Sequence, residues 1–143
     1  MASTGGTRSR GISGIPDPDT SCLDVLVVDD EPVIAETTTE ILQAEGFYAA
    51  FASTVEEGLQ VLATRKVRSV ILDHHLSGED GEQFLALGRD LPPVIVVSGL
   101  GADVLAEFQA AHREQVFACL AKPVPPRHLI EVVRRVVTNR ELK

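Results

Sequence analysis

Val25-Leu26-Val27-Val28-Asp29-Asp30-Glu31-Pro32 is the stretch on which the fold turns. Four apolar residues in a row, three of them β-branched, suit a short strand covered on both faces, as in a parallel sheet. The charges of Asp29-Asp30 end that run. Pro32 then fits the first turn of a helix, where its missing N–H costs nothing. The same grammar recurs. Asp73 follows Val70-Ile71-Leu72, and Lys122-Pro123 follows Val116-Phe117-Ala118-Cys119-Leu120. Each charge stands where a buried strand would end. In an open parallel sheet, sites form in the crevice outside the carboxyl ends of the strands.

Five strands are predicted near 25–28, 47–52, 69–72, 94–97 and 116–120. Helical patterns alternate with them. The first runs from Pro32 to Glu45, with Val33, Ile34, Ile41 and Leu42 as its apolar face and Gly46 as its stop. Thr54 and Glu57 have the spacing of a capping box, and Leu59 and Leu62 point that helix inward. Residues 81–89 carry Phe84, Leu85 and Leu87, and 102–113 carry Val104, Leu105, Phe108 and Ala111. The last helix, 126–140, carries Leu129, Ile130, Val133, Val136 and Val137; Val132 falls off that stripe and is expected to be exposed. Strict alternation predicts an α/β domain, a doubly wound five-stranded parallel sheet with helices on both faces.

The chain has 143 residues, enough for one core. Residues 1–21 are rich in Gly, Ser, Thr and Pro and lack periodicity, so they read as a disordered tail before one domain over 22–143. The net charge of −8 argues against nucleic-acid binding, which needs clustered Lys and Arg. No apolar run approaches the roughly 20 residues of a membrane helix. Two cysteines, Cys22 in a polar lead-in and Cys119 in a core strand, make no disulfide framework. A cytoplasmic protein is the expectation. His74-His75 lacks the spacing of a metal site, and His112 and His128 read as helix-surface residues.

If the first and third predicted strands are neighbours, Asp29, Asp30 and Asp73 converge. Such crowding of like charge is costly unless a cation offsets it. Hard oxygen donors favour Mg²⁺ or Mn²⁺ over Zn²⁺. Lys122 adds a point charge and Ser98 a hydroxyl from neighbouring strand ends; together they could hold phosphoryl oxygens. An aspartate can itself be the nucleophile in acyl-phosphate chemistry.

In these residues the chain resembles the receiver domain of bacterial two-component response regulators. Val27-Val28-Asp29-Asp30-Glu31-Pro32 is similar to that family's first-strand acidic motif. Asp73, with Leu76, Gly78, Asp80 and Gly81 after it, resembles the phosphoacceptor loop; Val94–Gly99 and Lys122-Pro123 resemble the fourth-strand end and the Lys-Pro pair. The resemblance spans roughly residues 23–140 and implies a (βα)5 flavodoxin-like sheet of order 2-1-3-4-5. It implies Asp73 as the phosphorylated residue. Asp30 would bind Mg²⁺ directly, Asp29 through water, and the His75 carbonyl would be a further ligand. Ser98 and Lys122 would contact the phosphoryl oxygens, and the Lys122–Pro123 peptide would be cis.

Two departures stand out. Ser77 replaces the proline usual four residues after the aspartate, and Cys119 replaces the aromatic usual three residues before the lysine. Cys119 has no ring to swing, so the aromatic half of the family's switch is missing. His75 and Leu100 occupy positions at the cleft mouth that influence phosphoryl lifetime in the family; their bulk would limit attacking water. The implied partners are a histidine kinase or histidine phosphotransfer protein and a downstream protein target. A monomer or weak homodimer would use the face of the 102–113 helix, the fifth strand and the last helix. No effector pattern follows within the sequence, so signalling by protein contact, by relay to another histidine, or through an output domain outside this sequence is expected. The rival readings are a pseudo-receiver with a silent site and a small Asp-nucleophile phosphatase; against the latter, His75 stands where a second acid belongs.

Overall fold

The run Val25–Val28 lies inside the sheet, with a strand paired on either side. In the computed structural model, which describes residues 22–73, 84–86, 91–99 and 102–142, these four residues form β2 and are all buried. The elements in chain order are β1 (Cys22–Leu23), β2 (Val25–Val28), α1 (Pro32–Ala44), β3 (Ala49–Ala52) and α2 (Val55–Thr64). They continue as β4 (Lys66–Val67), β5 (Val70–Asp73), β6 (Val94–Ser98), α3 (Ala102–Ala111), β7 (Val116–Ala121) and α4 (Pro126–Leu142). Phe84, Leu85 and Ala86 are also helical. All pairings in the main sheet are parallel, in the order β3-β2-β5-β6-β7. Written in predicted-strand numbers, that is the order 2-1-3-4-5 expected from the sequence. Two strands were not foreseen: β1 and β4 form a separate two-residue parallel pair, Cys22 opposite Lys66 and Leu23 opposite Val67. Cys22 therefore lies in a strand, not in a lead-in.

Alternation along the strands divides the core. Val25, Val27, Ile71, Ile95 and Val97 face one layer, with Ala35 and Leu42 of α1 and the stripe of α4. Leu26, Val28, Val70, Leu72, Val94 and Val96 face the other, with Phe84, Leu85 and the inner side of α2. Both faces are covered, which is why the strands read as unbroken apolar runs.

Several local expectations change. In α1 the buried residues are Ala35, Thr39 and Leu42, at i, i+4 and i+7; Val33 is 75% and Ile34 41% exposed. Small Ala35 and Thr39 carry the contact, and the Thr39 hydroxyl donates to the Ala35 carbonyl at 2.8 Å, so its burial leaves no unsatisfied polar atom. Val132, expected outside, is buried. With Leu129, Val133, Val136 and Val137 it makes the wider i, i+3, i+4, i+7, i+8 face of a helix lying flat on a sheet. Ala111 is exposed, and His112 is half-buried with its ring 4.6 Å from that of Phe108. Leu87 and Val104 lie outside what is described of side chains.

The helix ends follow their sequence signals. Gly46 adopts φ 97, the left-handed conformation that stops α1. The Thr54 hydroxyl accepts the Glu57 N–H at 3.0 Å, and the Glu57 carboxylate accepts the Ser53 N–H at 3.0 Å. Replacing Thr54 by Ala orphans a first-turn donor, so Thr54→Ala is expected to lower stability by about 1 kcal/mol in urea melts. Gly58 permits the close seat of α2: a Cβ there would lie 3.2 Å from both Phe84 and Val28.

Candidate functional site

The register of the sheet assembles the site. Val28 pairs with Leu72, so Asp29 and Asp73 follow at the same level. Asp73 pairs with Val97, which pairs with Leu120; one step on, Ser98 pairs with Ala121, and Lys122 follows. The Lys122 N–H donates to the Ser98 carbonyl at 2.8 Å and extends that ladder by one bond. The Lys122–Pro123 peptide is cis.

Asp73 is 5% exposed. The Lys122 ammonium lies 3.0 Å from its Oδ1 and 2.9 Å from its Oδ2. Asp29 is 2% exposed, and its Oδ1 accepts the Glu31 N–H at 3.0 Å, a side-chain turn that leads directly into α1. Ser98 is fully buried at the end of β6. Asp29, Asp73 and Lys122 all line one cavity of 540 Å³. Its floor is Val27, Ile71 and Val97; Ile34 and Thr38 of α1 form one wall; Pro123, Val124 and Leu129 form the other.

The expected convergence of three carboxylates is only partly present. Asp29 and Asp73 share the cavity, whereas Asp30 is exposed at the start of the turn. Among the described residues no group of three His, Cys, Asp or Glu side chains is gathered closely enough to hold a metal ion. The physical reason is twofold. Asp30, two residues beyond the end of β2, is exposed, and Lys122 already offsets the charge of Asp73. The donor chemistry still fits a hard divalent ion. Mg²⁺ keeps several waters and needs only one or two carboxylates with substrate oxygens. His75, Leu100 and the loop residues Leu76, Ser77, Gly78, Asp80 and Gly81 lie outside the described residues.

Cys119, opposite Val96, is half-buried on the β7 strand. Burial pushes its thiol above the ordinary cysteine value. A raised pKa means less thiolate near neutrality. Iodoacetamide should therefore modify Cys119 at pH 7.5 at least about tenfold more slowly in the folded protein than in urea. Sequence reasoning missed a bulge that sets this strand. Val94 pairs with Val116 but Ile95 with Ala118, leaving Phe117 as the extra residue, 38% exposed. That insertion flips the alternation, so Ala118 and Leu120 pack with the α1–α4 layer and Cys119 with the other. The apolar run 116–120 is unbroken, so the sequence carries no sign of the bulge.

A doubly wound parallel sheet with a buried aspartate paired to a lysine and a second buried acid at its carboxyl edge defines a CheY-like receiver fold. The chain belongs to the response regulator receiver domain family of two-component systems, whose model matches residues 25–134. It is 34% identical over 128 residues to an NtrX-like response regulator of Rickettsia bellii, a match spanning 86% of this chain and 26% of that protein. It is 29% identical to an uncharacterized 14.6 kDa protein of Leptolyngbya boryana, spanning 79% of this chain and 88% of the relative. The chain thus spans about a quarter of the length of NtrX-like relatives. Among solved structures it resembles a CheY-like receiver domain protein of Methanospirillum hungatei, with TM-score 0.70 and 28% identity over 82% of this chain and 94% of that one. NtrX from Brucella abortus gives TM-score 0.72 and 29% identity over 86% of this chain and 28% of that one. Among the described residues, no helix is long and apolar enough to cross a membrane.

Proposed function

We propose that this receiver domain, over residues 22–143, accepts a phosphoryl group on Asp73 from a histidine kinase or histidine phosphotransfer protein. The observation that supports this best is the Lys122 ammonium at 2.9 and 3.0 Å from the two oxygens of a carboxylate that is almost fully buried at the sheet edge. A bond forms between an Asp73 oxygen and phosphorus as the phosphorus–nitrogen bond of the donor phosphohistidine breaks. Lys122 then shifts from the carboxylate toward the phosphoryl oxygens, and the Ser98 hydroxyl supplies a further donor. Asp29, Asp30, Asp73 and the His75 carbonyl would hold Mg²⁺ or Mn²⁺, which when bound neutralises the incoming phosphoryl charge. The domain is a phosphoacceptor that resets by hydrolysis, not a turnover enzyme. It is cytoplasmic, and its output is contact with a downstream protein or relay to another histidine. A self-association face would comprise α3, β7 and α4. The half-buried Cys119, at the position of the family's switch aromatic, favours one variation: a switch read through Ser98 and the β7 strand without ring rotation.

Asp29→Asn keeps the oxygen that accepts the Glu31 N–H and removes only the charge. Labelling by acetyl phosphate is then expected to need at least about tenfold more Mg²⁺ for the half-maximal rate, about 1.4 kcal/mol of lost cation binding. An unchanged Mg²⁺ requirement would remove Asp29 from the metal site.

A further inference from the structure

β7 is an edge of the main sheet. Ser98 pairs with Ala121, yet the Ser98 carbonyl accepts the N–H of the next residue, Lys122. Backbone groups alternate in direction along a paired strand. Ala118, Leu120 and Lys122 therefore bond to β6, and Phe117, Cys119 and Ala121 turn their N–H and C=O groups outward. Among the described residues no hydrogen bond closes this edge. The opposite edge is closed: the Gln43 side-chain amide donates to the Ala49 carbonyl at 3.1 Å, and Ala49, Ala50 and Ala52 are buried. Exposed edges usually carry Lys or Pro against pairing. From Val116 to Ala121 there is no charge and no proline, and Phe117 is 38% exposed. All of β6 is buried, but Ala118, Cys119 and Leu120 are only half-buried, so the helices on the two faces leave the edge strand partly uncovered.

We propose that two copies of this chain pair edge to edge through β7, antiparallel about a twofold axis at Cys119, joining their two sheets into one. Antiparallel strands bond outward residue to outward residue, which leaves few registers. With Cys119 opposite its own copy, Phe117 meets Ala121 of the second copy, and all three outward residues are used. The neighbouring registers fail. Shifted one way, Ala121 falls opposite Gln115, whose N–H already donates to the His112 carbonyl and whose C=O accepts the Val94 N–H. Shifted the other way, Phe117 falls opposite Pro123, which has no N–H. In the register that remains, the large Phe117 ring lies beside the small Ala121 side chain on both sides of the axis. A twofold contact of this kind is complete as a dimer. This pairing specifies the self-association proposed above and rests on it.

The test is sedimentation of the whole chain over a range of concentrations, with amide exchange and NOE spectra by NMR on the same samples. A dimer is expected in which the Cys119 and Ala121 amides exchange at least about tenfold more slowly than in dilute protein, as newly bonded N–H groups do. A NOE between the Phe117 ring and the Ala121 methyl is expected as well. Within one strand those residues lie about 13 Å apart, beyond NOE range, so the signal arises only between copies. Phe117→Lys sets a charge on the edge and should weaken dimerisation at least about tenfold; the amides and the NOE test the pairing without any variant. A dimer that lacks the protection or the NOE, or that is indifferent to Phe117→Lys, would overturn edge pairing and leave self-association through other surfaces standing. A monomer at every concentration would overturn both.

Discussion

Lys122→Met is expected to lower both stability and phosphoryl transfer, through the same atom. In the folded protein the Asp73 carboxylate is 7% exposed on its side chain and Lys122 is 31% exposed. Removing the ammonium leaves a carboxylate out of water beside a second buried acid, Asp29. Breaking a fully buried pair costs about 3–5 kcal/mol, but the partial exposure of Lys122 screens this one, so about 1–3 kcal/mol is expected. Asp73→Asn alone should cost little, because Lys122 can reach solvent and the repulsion between Asp29 and Asp73 is relieved. The double variant should recover most of the loss, and the coupling in a double-mutant cycle measures the pair. The rate of Asp73 labelling by acetyl phosphate should fall about a hundredfold or more in Lys122→Met, as when a preorganised donor to a developing charge is lost. Urea melts and intact-protein mass report the two effects separately. Full stability with full labelling would show that the contact carries neither role.

The second large effect lies one residue before the site. Leu72 is fully buried, with Val28 opposite on one side and Val96 on the other. Leu72→Ala removes packing from a layer closed by Phe84 and Leu85, leaving a cavity in the middle of the sheet. A loss of about 2–5 kcal/mol is expected, seen as a lower urea midpoint with an unchanged slope. Because Leu72 sets the position of Asp73, partial relaxation of β5 should also slow labelling in the fraction that remains folded. Loss below about 1 kcal/mol would mean that the layer closes over the gap.

The sheet was legible because its signal is repeated. The strands at Val25 and Val116 begin where expected; β5 and β6 end at Asp73 and Ser98, and β2 ends one residue before Asp29. This follows from burial on both faces, which requires apolar runs and ejects polar residues to the carboxyl edge. The meeting of Asp29, Asp73 and Lys122 was legible for the same reason: consecutive strand ends in a parallel sheet lie level. What could not be read depends on packing distance and on single-residue insertions. The apolar Val33 and Ile34 imitate a buried face, but the face of α1 that meets the sheet is Ala35, Thr39 and Leu42. The place of Asp30 turns on the chain direction two residues past the strand, which composition does not encode. The Phe117 bulge leaves the apolar run unbroken, so its reversal of inside and outside is invisible until strands are paired. The cavity is likewise a property of three elements at once, the ends of the strands, α1 and the start of α4.

Asp73 is expected to accept a phosphoryl group in a metal-dependent reaction. Intact-protein mass after incubation with acetyl phosphate and Mg²⁺ tests it most directly, beside Asp73→Asn and a chelated control. One added phosphoryl group on the native chain, absent from both controls, is the predicted result. An equal adduct on Asp73→Asn, or none on the native chain when Mg²⁺ is bound, would contradict the account.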